Sequence, residues 1–260
     1  MVNFQTMIMS ITAMDIANSS LLDEATAAAE AMVMALVASN HKRKTFFVDN
    51  GVLPQTLAVL KTRAKGFGIR LVVGDVTTAL SDEGLRSDLC GVLLHYPDVD
   101  GRIKDFGNLA DSVHAANALV AVATDLLALT MLKPPGEWGA DMVLGNSARF
   151  GVPAGYGGPH GAFFACTENL KRKMPGRIIG RSRDAQGLPA YRLALQSEYI
   201  FCFAPCCWLI SKQLVSNIYG VRRPRAIFAP ARLFSPTWLL CMPSIMAPKV
   251  SGVLPTKSMV

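Results

Sequence analysis

The sequence predicts an α/β fold with a mostly parallel sheet flanked by helices, on three observations. Short β-branched and apolar runs alternate with helix-length segments. The runs are apolar at consecutive positions, and the chain of 260 residues is 51% hydrophobic and only 17% charged. Consecutive apolar positions describe strands covered on both faces, as in βαβ units. A composition of this kind buries a real core and excludes global disorder.

Leu21–Ala38 carries Asp23 and Glu24 in its first turn and then Ala and Met through its length, with Ser19 or Ser20 placed to cap it; it reads as a helix. Thr45–Asp49 (TFFVD) has the aromatic and β-branched content of a short buried strand, and Pro54–Lys65 returns to a helical pattern. Arg70–Val73, Gly91–His95 and Leu119–Ala123 read as further strands, with Asp105–Ala116 a helix between the last two. Pro97–Gly101 is a tight turn in which Gly101 takes a positive φ. Residues 145–161, GNSARFGVPAGYGGPHG, form the densest glycine cluster. It suits either a crowded structural loop or a close approach to a ligand. A dinucleotide loop is not expected, because Ala162–Cys166 (AFFAC) reads as a strand where that motif needs a helix.

The net charge of +7 is not spread along the chain. Acids and bases nearly balance over residues 1–196, while residues 197–260 hold the basic excess, with Glu198 their single acid. No nucleic-acid partner is expected from such a distribution. Residues 197–260 also contain Pro205, Pro224, Pro230, Pro236, Pro243, Pro248 and Pro255, spaced so that few helices or central strands fit between them. Met1–Ser20 has neither a basic leader nor an apolar stretch of secretory form. Tyr199–Ile210, the most apolar run, is short of the roughly 20 residues a bilayer requires and is broken by Pro205, so no membrane association is expected. Cys206–Cys207 lacks the spacing and histidines of a zinc site, His95 and His114 look isolated, and no metal is expected. The basic run His41–Lys44 reads as a solvated loop before a strand.

Several longer motifs carry a family resemblance. SLLDEATAAAEAM (Ser20–Met32), KRKTFFVD (Lys42–Asp49), TDLLALTMLKPPGEWGAD (Thr124–Asp141), ARFGVPAGYGGPHGAFFA (Ala148–Ala165) and MPGRIIG (Met174–Gly180) resemble the N-terminal half of the glycine decarboxylase P-protein of the glycine cleavage system. The resemblance implies an incomplete fold-type I transferase-like large domain. For the complete enzyme it implies a pyridoxal 5'-phosphate reaction in the mitochondrial matrix, although the Met1 start shows no import sequence. Glycine reacts with the cofactor, CO2 leaves as the pyridinium ring takes up the electrons, and the aminomethyl group passes to the lipoyl arm of the H-protein.

That chemistry needs a lysine for the resting Schiff base and a carboxylate at the ring nitrogen. In the family the lysine belongs to the C-terminal half, in a run similar to HKTFCIPHGGGGPG. Laid on Ser147–His160, this run puts its lysine at Ala148, where no amine exists, and Asp125 falls where the ring-nitrogen partner would be. The resemblance therefore implies a half with no catalytic residue and no covalently bound cofactor. Its partners would be a lysine-bearing C-terminal half and, for the intact enzyme, lipoylated H-protein. Asp125 reads equally as a capping acid or a vestigial cofactor partner. Ser20, Asp23, Glu24 and Thr26 lie near the family's phosphate position, but two acids would repel a phosphate and favour an ordinary cap. Tyr156, Gly157, Gly158 and His160 either reach across an interface into the partner's site or pack locally.

The resemblance stops after Gln196. Ser197-Glu198-Tyr199 can be encoded with the form of an intron donor and Lys212-Gln213 with that of an acceptor. A shifted reading of the codons of Leu214–Val260 permits a family-like continuation, in agreement with the single-codon residues Trp238, Met242, Met246 and Met259. Two segments are expected: residues 1–196, a partial large domain, and residues 197–260, a retained-intron, out-of-frame tail with poor order. Three readings follow: an inactive piece of the decarboxylase, a non-catalytic scaffold half, or a mis-spliced product without function.

Overall fold

The computed structural model describes residues 1–76 and 80–195. The expected tail, 197–260, lies outside the described residues. In chain order the elements are α1 (Val2–Thr12), β1 (Ile16–Ala17), α2 (Glu24–Ala38), β2 (Thr45–Asp49), α3 (Pro54–Phe67), β3 (Arg70–Gly74), α4 (Glu83–Ser87), β4 (Leu89–Tyr96), α5 (Gly107–Ala115), β5 (Leu119–Asp125), β6 (Met142–Asn146), β7 (Ala162–Cys166), β8 (Arg177–Arg183) and β9 (Pro189–Leu195). Seven strands form one sheet in the order β1-β7-β6-β5-β4-β2-β3. Strands β3, β2, β4, β5 and β6 are mutually parallel, while β7 runs antiparallel to β6 and to β1. The expected mostly parallel sheet is present, with one reversed strand that periodicity did not reveal.

Alternation along each strand sorts side chains into two cores. Phe46, Val48, Leu93, Ala121, Ala123 and Leu144 face a core shared with α2 and α3. Phe47, Val92, Leu94, Val120, Val122 and Val143 face the opposite core, with Ile8 of α1 and Ala110 and Val113 of α5. Helix α2 is buried along most of its length, and its alanines permit a close approach to the sheet. A Cβ on Gly91 of β4 would stand 2.9 Å from Ala35 Cβ, so this contact needs small residues on both sides.

The cap of α2 differs from expectation. Asp23, not Ser19 or Ser20, is the N-cap, accepting the Thr26 N–H at 3.2 Å. Ser19 instead donates its hydroxyl to the Arg177 carbonyl, 2.9 Å away, and helps dock the β8–β9 hairpin. Buried Asn18 accepts from Phe164 N–H and donates to Pro175 O, bridging β7 to the same segment. Gln5 of α1 completes the docking by bonding both the N–H and the C=O of Ile179. Helix α3 ends at Gly68 (φ 65°), and Gly101 takes the positive φ (77°) read from its turn. Among the described residues no helix is long and apolar enough to cross a membrane.

Candidate functional site

Parallel strands collect their C-terminal ends on one edge, and here Asp49, Tyr96, Asp125 and Asn146 end β2, β4, β5 and β6. Open α/β sheets place their ligands at this edge. Asp125 does two local jobs. Its Oδ1 accepts the Leu127 N–H at 2.9 Å, and its Oδ2 lies 3.6 Å from Arg149 Nε. The register pairs Asp125 with Asn146, which explains how a residue just beyond β6 reaches it.

Ala148 opens a 3-10 turn (Ala148–Phe150), and its N–H is held by Asn146 Oδ1 at 2.7 Å. Its neighbour Arg149 is the cation that meets Asp125. The loop from Ser147 to Gly161 is stapled at its base, since both the N–H and the hydroxyl of Ser147 donate to the Gly161 carbonyl, at 3.0 and 2.9 Å. Buried Phe150 anchors the near arm. The far arm projects: Tyr156 is fully exposed and takes φ 51°, with Gly157 (87°) and Gly158 (75°) after it. A left-handed tyrosine costs on the order of 1 kcal/mol, and the Gly158 N–H closes the turn around it on the Gly155 carbonyl at 2.9 Å. Of the two alternatives for this loop, Tyr156 does not pack locally. His160 bonds locally through Asn146, with Nδ2 and Nδ1 separated by 3.1 Å. Strand β7 follows the loop, so a dinucleotide cradle is absent.

The structure gives His95 a partner that its sequence neighbours did not suggest. Its Nδ1–H donates to the Pro97 carbonyl, and its Nε2 faces Glu24 Oε1 at 3.3 Å. Burial pulls the histidine towards neutrality, but the bonds to Glu24 and Pro97 and the Asp98 carboxylate outweigh it and raise the pKa. The charged pair ties the first turn of α2 to the end of β4. A raised folded-state pKa gives stability that is complete below the unfolded-state value of about 6.5 and is lost as pH rises through the folded-state value. Urea midpoints of the wild type are expected to fall relative to those of His95→Gln as pH rises above about 6.5. Parallel curves would contradict the pairing.

Lys104 lies between two nearly buried carboxylates, 3.4 Å from Asp49 Oδ2 and 3.7 Å from Asp98 Oδ2. Partial desolvation works to raise the Asp98 pKa. The Arg102 and Asp100 N–H donors, with the Lys104 and Arg102 charges, overcome this and lower it. His114 also has a partner, its Nε2–H donating to Asp141 Oδ2 over 2.8 Å, on the opposite edge of the sheet. Cys90 and Cys166 are buried thiols pushed up to about 12 by desolvation, which disfavours the nucleophilic thiolate. Among the described residues no three metal-ligating side chains converge.

Asp125, Ala148 and His160 therefore share one strand edge, while Tyr156, Gly157 and Gly158 project from it. Sequence reasoning missed Arg149, Asn146 and the Glu24–His95 pair. The adjacency of β5 and β6 could have exposed Arg149, because it follows the end of β6 by only three residues.

The profile of the glycine cleavage system P-protein matches residues 1–199. A glycine dehydrogenase (decarboxylating) of Stenotrophomonas maltophilia (strain R551-3) is 60% identical over 198 residues, covering 76% of this chain and 20% of that protein. A putative mitochondrial glycine dehydrogenase (decarboxylating) of Schizosaccharomyces pombe is 54% identical, over 76% of this chain and 19% of its own length. The chain thus spans about a fifth of the length of these curated relatives. An inhibitor-bound crystal structure of glycine decarboxylase (P-protein) of the glycine cleavage system superimposes with a TM-score of 0.66 and 34% identity, covering 74% of this chain and 44% of that one. Fold, motifs and matched length agree, and the chain belongs to the glycine cleavage system P-protein family.

Proposed function

We propose that this chain is a non-catalytic half of a glycine-decarboxylating P-protein, acting only against a half that carries the Schiff-base lysine. One observation carries the reading: Arg149 sets a guanidinium against Asp125, directly after Ala148, the residue that the family resemblance aligns with the lysine. The donor set does not fit pyridoxal phosphate. The carboxylate that would hold a protonated ring nitrogen already faces a cation, no lysine pairs with it among the described residues, and the first turn of α2 presents Asp23 and Glu24 where a phosphate would need positive potential. Decarboxylation, the cofactor and aminomethyl transfer to lipoylated H-protein thus belong to the complete enzyme. The word mitochondrial in the name of the Schizosaccharomyces pombe relative supports a mitochondrial setting, within which the matrix is our proposal.

Exposed apolar side chains on the loops at this edge support docking. Leu22, Val99, Ile103, Met131 and Tyr156 are solvent-exposed, and exposed apolar groups of this kind suit an interface. Mixing the full chain with a lysine-bearing C-terminal half is expected to give a stable complex with a dissociation constant of about 1 μM or tighter, measurable by sedimentation. Glycine decarboxylation should appear only in that mixture. A complex that never forms, or activity in the chain alone, overturns the reading.

A further inference from the structure

We propose that His160 is a preset hydrogen-bond donor for an anionic oxygen of the ligand in the partner half's site, and that Asn146 is the residue that positions it. This rests on the reading of the chain as a docking half. The Asn146 amide is bonded at both ends. Its Oδ1 accepts the Ala148 N–H at 2.7 Å, which fixes the orientation of the amide and turns Nδ2 towards His160 Nδ1, 3.1 Å away. An amide NH2 only donates, so Nδ1 accepts and the imidazole proton sits on Nε2.

The imidazole is exposed, and among the described residues no hydrogen bond engages its Nε2. Its backbone is not free to wander, because Gly161, the next residue, is the acceptor of both Ser147 bonds. The outcome is an N–H donor held beside the end of β6, on the strand edge at which docking is proposed. Residues 145–161 contain no carboxylate, and Arg149 is their single formal charge. An incoming oxygen anion therefore meets no repulsion from this loop. A carboxylate of the amino-acid substrate and a phosphate of the cofactor share this chemistry.

Two measurements test the assignment. In the full chain labelled with [15N]histidine, His160→Ala identifies the His160 resonances among those of four histidines. The wild type is expected to show a bare Nδ1 and a protonated Nε2, and Asn146→Ala a mixture of tautomers. In the complex with a lysine-bearing half, His160→Ala is expected to raise the KM for glycine about 10- to 100-fold if the acceptor is the substrate carboxylate, with kcat changed less. If the acceptor is the phosphate, the same variant weakens cofactor retention by a similar factor. His160→Gln, whose amide nitrogen reaches close to the Nε2 position, restores the affected constant, and His160→Asn does not. Overturning results are a protonated Nδ1 in the wild type, or a His160→Ala complex that assembles normally with both constants unchanged. Weaker assembly without a change in either constant also overturns it, since that marks a contact between chains only. A wild-type chain that forms no complex sinks the docking reading, and this inference with it, whatever the tautomer.

Discussion

The purified chain, incubated with pyridoxal phosphate and reduced with borohydride, is expected to carry no stoichiometric adduct on any single lysine and to release no CO2 from glycine. A covalent link to the aldehyde needs a deprotonated amine held beside it. Ala148 offers a methyl group. Lys104 is a lysine at the same strand edge, but its Nζ is engaged by Asp49 and Asp98 at 3.4 and 3.7 Å and is not presented to an incoming aldehyde. Lys133 is exposed in the segment after β5. Ala148→Lys supplies the missing amine, yet Arg149 still occupies the Asp125 carboxylate, so this variant is expected to form an adduct without gaining glycine decarboxylation. Activity in the single variant would show that the ring-nitrogen position remains open.

Gly145→Ala is expected to cause the largest loss of stability of any single methyl addition near the site. A Cβ there would lie 2.1 Å from the Thr124 carbonyl oxygen and 2.9 Å from the ring of Phe163. The first contact is with backbone of the adjacent parallel strand, which cannot move without breaking the β5–β6 ladder, and the second is with a fully buried side chain. Overpacking against immobile neighbours costs about 3 kcal/mol, equivalent to about 10 °C in Tm for a domain of this size. Gly155→Ala meets nothing within 4 Å and serves as the control, with a Tm expected to match the wild type. Equal Tm values for the two variants would show that β6 is not seated as described.

The same glycine explains part of what the sequence concealed. Strands β2 and β7 were legible to the residue because TFFVD and AFFAC are continuous apolar runs. Strand β6 was not, since MVLGN ends in two residues that ordinarily mark a turn, and only the Phe163 ring and the Thr124 carbonyl explain why glycine stands there. Strands β8 and β9 were hidden in the same way by Gly180 at the middle of one and Pro189 at the head of the other. Ala148 and Asp125 came from a motif laid on the chain, and the motif named positions without saying what each side chain touches. Glu24 and His95 lie 71 residues apart, a pairing to which no local pattern points. Asn146 was equally silent, because its amide matters only once the loop closes and brings His160 back to the end of β6.

Division of labour between two halves is the central claim, and locating the cofactor's attachment tests it most directly. The full chain and a lysine-bearing half would be mixed with pyridoxal phosphate, reduced with borohydride, digested and mapped by mass spectrometry. The account predicts one modified lysine in the partner half and none above background in this chain. A stoichiometric adduct on Lys104, Lys133 or any other lysine of this chain, accompanied by glycine-dependent CO2 release, would contradict it.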